Sequence, residues 1–340
     1  MAGSAPARGR GRGGRPVRRP AGPRPQRRGR ADAPRRAACD VLCAVADREA
    51  YANLLLPAIL AERGLTGRDA ALATELTYGT LRGRGTYDAV LSICCDRDLA
   101  SLDPAVLEIL RLGTHQLLAT RVASHAAVAT SVDLVRDVAG PRPAGFVNAV
   151  LRRVATRDLE GWLEIAAPSR ADDLAGHLAV RYSHPRWIVT AWSRALGEDP
   201  AGGLPETEAA LAADSERPLV ALCATPGLAS PAELTLAGAE PARWSPQGGY
   251  LTEGDPARIP AVAQGRAGVQ DEASQLAALA LSRAELAGRD ARWLDLCAGP
   301  GGKARLLGGL AGGAGARLVA AELRPHRARL VRPAAAGAWA

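Results

Sequence analysis

The stretch Arg292-Trp-Leu-Asp-Leu-Cys-Ala-Gly-Pro-Gly-Gly-Lys-Ala304 decides the fold of the C-terminal part of the chain. Residues 293–296 form a short apolar run that ends at a glycine and proline cluster, and residues 303–310 then follow a helical pattern. A second apolar run, 317–321, ends at the acid Glu322. This order predicts a strand, a glycine loop, a helix and a second strand, which is one β-α-β unit of a doubly wound α/β sheet.

The loop between the first strand and the helix suits an adenosine-type ligand. Glycines let the backbone approach a ligand, the start of the helix offers free N–H groups, and an acid about 20 residues further on can accept ribose hydroxyls. A phosphate-binding P-loop would need glycine and Ser or Thr where Cys297 and Ala304 stand, so that class is excluded. The dinucleotide pattern is met by Gly299, Gly301 and Ala304, but it is a weak pattern whose usual place is the start of a domain.

The composition bounds the class of protein. The chain has 340 residues with 47% hydrophobic content, which is enough for two or three domains. It has no apolar run of about 18 residues, so we expect a soluble protein without a membrane span. Six cysteines without a Cys-x-x-Cys pair, and no secretory signal, indicate a reducing cytoplasm. The five histidines are scattered, so no metal site is expected.

The N-terminal segment is too polar to fold alone. Its first 36 residues are mainly Arg, Gly, Pro and Ala and carry 12 arginines against Asp32, a net charge of +11 in a chain of net charge +8. We therefore predict a disordered tail over residues 1–34. Such tails bind RNA phosphates in a sequence-tolerant way, and a solvated solubility tail is the alternative.

Residues 35–158 predict an all-helical bundle. Apolar residues recur at three- and four-residue spacing through this segment, with further helices expected at 87–95, 104–120, 126–138 and 144–154. Asp103 and Pro104 form a cap and first-turn pair, and Gly140-Pro141 is a stop signal. No strand pattern interrupts about 120 residues, so this segment is expected to fold as its own domain.

The next segment, 168–268, predicts linker helices followed by a small α/β module. Ser183-His184-Pro185 begins a helix, and residues 218–268 contain short β-type runs, one helix at 231–237 and many turns. The phrase 269–276, Val-Gln-Asp-Glu-Ala-Ser-Gln-Leu, then opens a helix that leads into the glycine loop. Residues 269–340 form the last predicted domain.

Several of these phrases resemble one known family. Asp295-Leu-Cys-Ala-Gly-Pro-Gly-Gly-Lys303 is similar to the first cofactor motif of the S-adenosylmethionine-dependent RNA cytosine-C5 methyltransferases. Residues 52–56, 75–81 and 146–153 resemble the NusB-type RNA-binding helical fold. The phrases occur in family order over about 35–332, and together they resemble the 16S rRNA cytosine-C5 methyltransferases with a NusB-like N-terminal domain.

The resemblance implies a cofactor, a partner and site residues. The cofactor would be S-adenosyl-L-methionine and the partner 16S rRNA, bound by a monomer, with the 168–268 module as an RNA-binding subdomain. On α-helical residues 144–154 it implies RNA contacts by Asn148, Arg152 and Arg153. The implied cofactor-binding residues are Cys297, Ala298, Gly299, Pro300, Gly301, Gly302, Lys303 and Glu322.

The family's chemistry requires a cysteine that this sequence does not supply in the expected context. A thiolate adds to cytosine C6, C5 then attacks the sulfonium methyl, and loss of the C5 proton expels the thiol. The family's two cysteines lie in Pro-Cys and Thr-Cys contexts after the acid that corresponds to Glu322, and neither context occurs here. We therefore assign no catalytic residue, and we expect Cys297 to be a buried, inert thiol.

Two classes of function stay open at this point. The missing contexts, and a sheet with only about two strands, predict a C-terminally truncated methyltransferase that is inactive as written. The alternative is a non-catalytic NusB-like RNA-binding protein of the antitermination type. The intact glycine loop favours the methyltransferase, because a binding module has no need of Gly299, Gly301 or Lys303.

Overall fold

The computed structural model describes residues 1, 3, 32–48, 50–252 and 254–335 of the chain. Most of the predicted tail, residues 1–34, lies outside the described residues. The chain divides into two compact units, Met1–Glu216 and Arg217–Ala340, and each is described here by itself. This division falls inside the predicted segment 168–268, since its helices pack with the first unit. The domain boundaries drawn from the sequence stay a prediction.

The first unit is helical throughout the part that the structure describes. The predicted helices at 104–120, 126–138 and 144–154 are confirmed with small shifts at their ends. Its helices are α1 Ala33–Arg48, α2 Ala52–Glu62, α3 Gly67–Arg82, α4 Arg84–Cys94, α5 Pro104–Ala119, α6 Ser124–Val138, α7 Ala144–Val154, α8 Leu159–Ala166, α9 Leu174–Arg181, α10 Arg186–Leu196 and α11 Pro205–Ser215.

Helix α5 is the centre of this unit. It packs against α1, α3, α4, α6 and α7, and Ile109, Leu110 and Leu112 are fully buried. Its start is fixed as the sequence predicts, because the Asp103 side chain accepts hydrogen bonds from the first-turn N–H groups. The apolar stripes of the surrounding helices therefore bury against one central element.

A buried charge network joins α5 to α4. Arg111 is 6% exposed and donates to both carboxylate oxygens of Asp88, at 2.6 and 2.7 Å. Glu108, one turn earlier on α5, also accepts from Arg111, and burial raises the pKa of that carboxyl. Such a network stabilises the bundle only while all three groups are present, because removal of one leaves a buried charge unpaired.

The start of α1 corrects the predicted end of the tail. The helix begins at Ala33, two residues before the predicted domain start, so Arg35 and Arg36 are helical. Arg35 Nε donates to Gln116 at 2.7 Å, and Arg36 Nη1 donates to Asp137 at 2.7 Å. These two arginines were counted in the tail's net charge, but they pair within the helical unit.

The second unit begins with a four-stranded antiparallel sheet in the order β2-β3-β1-β4. The predicted helix at 231–237 is present as α12. The elements of this part are β1 Val220–Ala224, α12 Pro231–Leu236, β2 Glu240–Pro241, β3 Gly248–Leu251, α13 Pro260–Ala263 and β4 Ala267–Val269.

The predicted β-α-β unit follows. Strands β5 and β6 pair in parallel, with Arg292 opposite Arg317 and Asp295 opposite Ala320. Helix α15 connects them, and α14 packs against α15 and contacts β1. The elements are α14 Glu272–Ser282, β5 Arg292–Asp295, α15 Gly302–Gly313, β6 Arg317–Ala320 and α16 Pro325–Ala335. Across the described part of both units, no helix is long and apolar enough to span a membrane.

His115 is a buried titratable group within the helical core. It is 2% exposed, and its Nδ1 lies 2.9 Å from the Tyr87 hydroxyl. A side chain on Gly79 has no room, since a Cβ there would lie 2.2 Å from the imidazole ring. Burial lowers the pKa of His115 from 6.5 to about 4. The folded unit therefore holds this imidazole neutral at pH values where the unfolded chain protonates it.

We expect the stability of the helical unit to fall on mild acidification. Between pH 7 and pH 5 the unfolded chain gains a proton at His115 that the folded chain does not, so the free energy of unfolding falls by about 2 kcal/mol from this residue. Urea unfolding at the two pH values measures the difference. His115→Phe should lose this dependence, although it should be less stable at both pH values because the Tyr87 hydroxyl loses its hydrogen-bond partner.

The matched control is His125→Gln, which replaces an exposed histidine on α6 and should keep the wild-type pH dependence. Equal pH dependence in wild type and His115→Phe would show that His115 is not the group responsible.

Candidate functional site

The site is built where the two parallel strands end. The Ala321 N–H donates to the Asp295 carbonyl at 2.8 Å, and the Ala298 N–H donates to the Ala321 carbonyl at 3.0 Å. The ladder thus continues one step beyond the strands and brings the glycine loop beside the residues that follow β6. Ligands of open α/β sheets bind at this edge, outside the carboxyl ends of the strands.

Glu322 is the acid that the loop meets. Its Oε2 accepts from the Gly299 N–H at 3.0 Å, and its Oε1 accepts from the Arg324 N–H at 2.9 Å. The Arg324 N–H, the nearby Arg327 guanidinium and the Gly299 N–H together lower the pKa of the Glu322 carboxyl. A carboxylate can accept about four hydrogen bonds, so about two positions remain for the hydroxyls of a ligand.

The loop lies so close to Glu322 that there is no room for a side chain at position 299. A Cβ at position 299 would lie 2.3 Å from Glu322 Oε2 and 2.9 Å from Arg327 Cβ. The Arg327 side chain also donates to the Gly299 carbonyl. Glycine is therefore required here by close approach, and both backbone groups of Gly299 are held in place.

Helix α15 starts directly after the loop. Its N-cap residue is Gly301 in the left-handed region at φ 113°, and no side chain among the described residues caps the helix. Within that part of the chain, the N–H groups of the first turn therefore have no side-chain acceptor, which suits an anionic group of a ligand. Lys303, in this first turn, is exposed.

The eight residues predicted to bind a cofactor come together around this loop. Ala298 and Gly301 are buried, and Gly299, Gly302 and Glu322 are partly buried, whereas Cys297, Pro300 and Lys303 are exposed. The expectation of a buried thiol at Cys297 is therefore wrong. The residue follows β5 where the described sheet has only two strands, and its neighbours Leu294 and Leu296 are also exposed, at 56% and 69%.

Sequence reasoning missed one acid in the same motif. Asp295 ends β5, and its Oδ1 accepts from the Cys297 N–H at 3.1 Å. Its Oδ2 is buried and has no hydrogen-bond partner within the described residues. Its place at the carboxyl end of a parallel strand could have indicated a role at the ligand edge.

The phrase 269–276 ties the loop to the antiparallel sheet. Asp271 caps α14 by accepting from the Ala273 and Ser274 N–H groups. Glu272 accepts from the Ser245 N–H at 2.6 Å and from the Tyr250 hydroxyl. This network holds α14 in place, and α14 packs against α15. The start of α15, beside the glycine loop, is therefore supported by a fixed neighbour.

The predicted RNA-binding residues lie on α7 of the helical unit. Asn148 is partly buried, and Arg152 is exposed without an ion pair in the described part of the chain. Arg153 is already engaged, since its Nη1 donates to Asp96 and to the Cys94 carbonyl, both at 2.9 Å. Of the two arginines, Arg152 is the freer one for an external anion.

Further cations lie beside this helix. Arg97 and Arg142 line a groove of about 400 Å³ together with Phe146 of α7. The Arg97 guanidinium carbon lies 5.8 Å from the centre of the Phe146 ring. We call Arg97, Arg142, Phe146, Arg152 and Arg153 the α7 surface. Sequence reasoning missed Arg97 because it follows α4, far from α7 in the sequence, and it missed Arg142 because that residue lies in the short loop just before α7 rather than on the helix.

No metal site is found in the described part of the chain, since no three His, Cys, Asp or Glu side chains are grouped to hold an ion.

The chain is similar in sequence to one protein family and to several known proteins. Residues 32–156 match the NusB family. The chain is 52% identical over 301 residues to the putative methyltransferase Rv1407 of Mycobacterium tuberculosis, and 34% identical over 308 residues to the ribosomal RNA small subunit methyltransferase B of Pseudomonas putida. Both matches cover 88% of this chain and 65% of the relative, so the chain spans about two thirds of their length.

One solved structure has a similar fold. The crystal structure of PH0851 matches with a TM-score of 0.65 at 16% sequence identity, and the match covers 90% of this chain and 67% of that one. At this identity the likeness concerns the fold alone.

We expect Gly299→Ala to destabilise the second unit by about 1–3 kcal/mol, because the added methyl overlaps the Glu322 carboxylate and must push the loop away. The measurement is urea unfolding of the full chain, followed by circular dichroism. Gly312→Ala is the matched control on α15, where a Cβ meets nothing within 4 Å. That control should stabilise the helix by up to about 1 kcal/mol. Gly299→Ala with wild-type stability would mean that the loop is not as close to Glu322 as described.

Proposed function

We propose that this chain belongs to the family of NusB-domain methyltransferases that includes the proteins named ribosomal RNA small subunit methyltransferase B. We further propose that it forms the RNA-binding and cofactor-binding parts of an S-adenosyl-L-methionine-dependent 16S rRNA cytosine-C5 methyltransferase. The observation that carries the proposal is the hydrogen bond of 3.0 Å between the Gly299 N–H and Glu322 at the end of two parallel strands. This geometry joins a glycine loop, a helix start and a ribose acceptor in one place.

The residues of the loop fit the proposed cofactor. Glu322 would accept the ribose hydroxyls with its remaining lone pairs, and the lowered pKa of its carboxyl keeps it ionised for that task. The uncapped start of α15 would receive the anionic carboxylate of the amino-acid part. Asp295 Oδ2, which is buried and has no hydrogen-bond partner among the described residues, would offer a further acceptor at the same edge. The bound cofactor supplies a methyl group on a sulfonium centre.

The nucleophile of the family's reaction has no counterpart in this sequence. Of the six cysteines, Cys39, Cys94, Cys95 and Cys223 are buried, and Cys43 is partly buried. Burial raises the pKa of Cys223 to about 12, which disfavours a thiolate. Cys297 is exposed beside the loop, but it follows Leu296 and lies in neither the Pro-Cys nor the Thr-Cys context. We propose that this chain binds the cofactor and does not itself transfer the methyl group.

The RNA contacts are proposed to lie on the helical unit. The α7 surface combines exposed arginine with an aromatic side chain, which suits phosphates and unstacked bases of RNA. The antiparallel sheet of the second unit is proposed as a further RNA-binding module, and the protein is proposed to act as a monomer in the cytoplasm. A purely RNA-binding, antitermination-type function is less favoured, because it leaves the loop around Gly299 and Glu322 without a purpose.

We expect the 340-residue chain to bind S-adenosylmethionine weakly and to transfer no labelled methyl group to unmodified 16S rRNA. NMR titration measures the binding, since it registers dissociation constants into the millimolar range, and NAD⁺ is the competing dinucleotide to be titrated beside it. Preference for NAD⁺ would contradict the proposed cofactor. Methyl transfer that disappears in Cys297→Ala would make Cys297 the nucleophile.

The RNA proposal predicts a change in salt dependence. Arg142→Glu combined with Arg152→Glu should weaken binding to a 16S rRNA fragment and lower the slope of log K against log salt by about 2, roughly one unit for each lost phosphate contact. Fluorescence anisotropy at several salt concentrations gives the slope. Arg194→Glu, an exposed charge reversal on α10, is the matched control. Equal slopes in the two variants would remove the α7 surface from the interface.

A further inference from the structure

Gln270 carries a side-chain amide without a partner in the described part of the chain. The residue is 7% exposed, and among the described residues neither its Nε2 nor its Oε1 has a hydrogen-bond partner. A buried amide in this state is costly and rare in folded proteins. The unused donor and acceptor therefore indicate a group that binds from outside the chain.

The amide lies against the start of α15. A Cβ on Gly302, the first residue of that helix, would lie 3.6 Å from Gln270 Cδ and 3.9 Å from its Oε1. Within the described residues, no side chain caps this helix. A buried amide without a partner in that part of the chain therefore lies beside the first residue of a helix whose first-turn N–H groups also lack a side-chain partner there.

The chemistry of the two groups selects one end of the proposed cofactor. The helix start attracts an anion, and the anionic group of S-adenosylmethionine is its α-carboxylate. Beside that carboxylate stands an α-ammonium. A glutamine amide offers two N–H donors and one acceptor oxygen, so a single side chain can satisfy both charged groups. Ribose is assigned to Glu322, which leaves Gln270 for the amino-acid end.

On the basis of the proposed function, we propose that Gln270 binds the amino-acid end of the cofactor, with Nε2 donating to the α-carboxylate and Oε1 accepting from the α-ammonium. Nothing in the cofactor motif 295–303 indicates this residue, which lies 25 or more positions earlier in the sequence. The fold brings it there because α14, which begins at Glu272, packs on α15.

A structural role makes the opposite prediction about stability. Gln275 lies on α14, whereas Gln270 precedes that helix. Gln275 donates from Nε2 to the Leu222 carbonyl at 3.1 Å and to the Gln270 carbonyl at 2.9 Å, and its Oε1 accepts from Ser245 at 2.6 Å. Gln275→Met should therefore lower the melting temperature. Gln270→Met removes an unpaired amide at nearly constant volume, so the melting temperature of the free protein should stay unchanged or rise.

The experiment compares two ligands that share adenine and ribose. S-adenosylhomocysteine carries the amino-acid group and 5′-methylthioadenosine lacks it. NMR titrations of the full chain should show that Gln270→Met raises the dissociation constant of S-adenosylhomocysteine about tenfold or more and leaves that of 5′-methylthioadenosine unchanged. Glu322→Gln should weaken both ligands, because both contain the ribose.

The outcomes separate this inference from the proposed function. If wild type binds S-adenosylhomocysteine and Gln270→Met binds it equally well, the inference is wrong and the proposed cofactor stands. If Gln270→Met weakens both ligands and lowers the melting temperature, Gln270 has a structural role and the inference is also wrong. A wild-type chain that binds neither ligand would overturn the proposed function together with the inference.

Discussion

The hydrogen bond from the Gly299 N–H to the Glu322 carboxylate is the constraint on which the second unit depends. It exists only because the loop approaches the acid more closely than any side chain at position 299 allows. Helix α15 begins directly after this loop, and it contacts strand β4 of the antiparallel sheet and the loop that follows β1. Arg305 donates to the Ala267 carbonyl at 2.8 Å, and Gly309 lies so close to Pro226 that a Cβ would be 2.7 Å from its carbonyl oxygen. The carboxyl-end edge of strands β5 and β6 and the antiparallel sheet are therefore packed together within the second unit.

The sequence predicted the elements that depend on local signals. The cap pair at Asp103 and the glycine loop at 299–302 each contain their own start or stop information, and both appear where expected. Long-range pairing was not predictable in the same way. Arg36 looks like part of a basic tail, yet its partner Asp137 lies 101 residues away. Cys297 looks like a core thiol, but its burial depends on neighbouring strands rather than on its own motif.

The two glutamines of the phrase 269–276 have different surroundings that the sequence motif does not distinguish. Gln270 and Gln275 are both buried and both belong to the same short phrase, so the sequence treats them alike. Only the fold separates them. The Gln275 side chain donates to the β1 carbonyl of Leu222, whereas the Gln270 amide lies beside Gly302 at the start of α15 and has no hydrogen-bond partner within the described chain. The sequence motif indicates only that polar side chains occur at these positions. The three-dimensional contacts distinguish the side chain that stabilises the fold from the one that we propose binds a ligand.

The basic residue at the start of α15 is a lysine, unlike every other cation of lysine or arginine type in the chain. Among the 43 lysine and arginine residues, Lys303 is the single lysine, and it lies in the first turn of α15. A positive charge there opposes the helix dipole at a cost of about 0.3–1 kcal/mol. Elsewhere a guanidinium fork is used for paired contacts, as Arg111 does with both oxygens of Asp88. Lys303 makes no such pair within the described residues. An exposed ammonium on a slim stem, held beside uncapped N–H groups, gains its favourable energy only when an anion occupies the space before the helix. The first turn of α15 is thus less stable alone than with a ligand, which is the arrangement that a binding site requires.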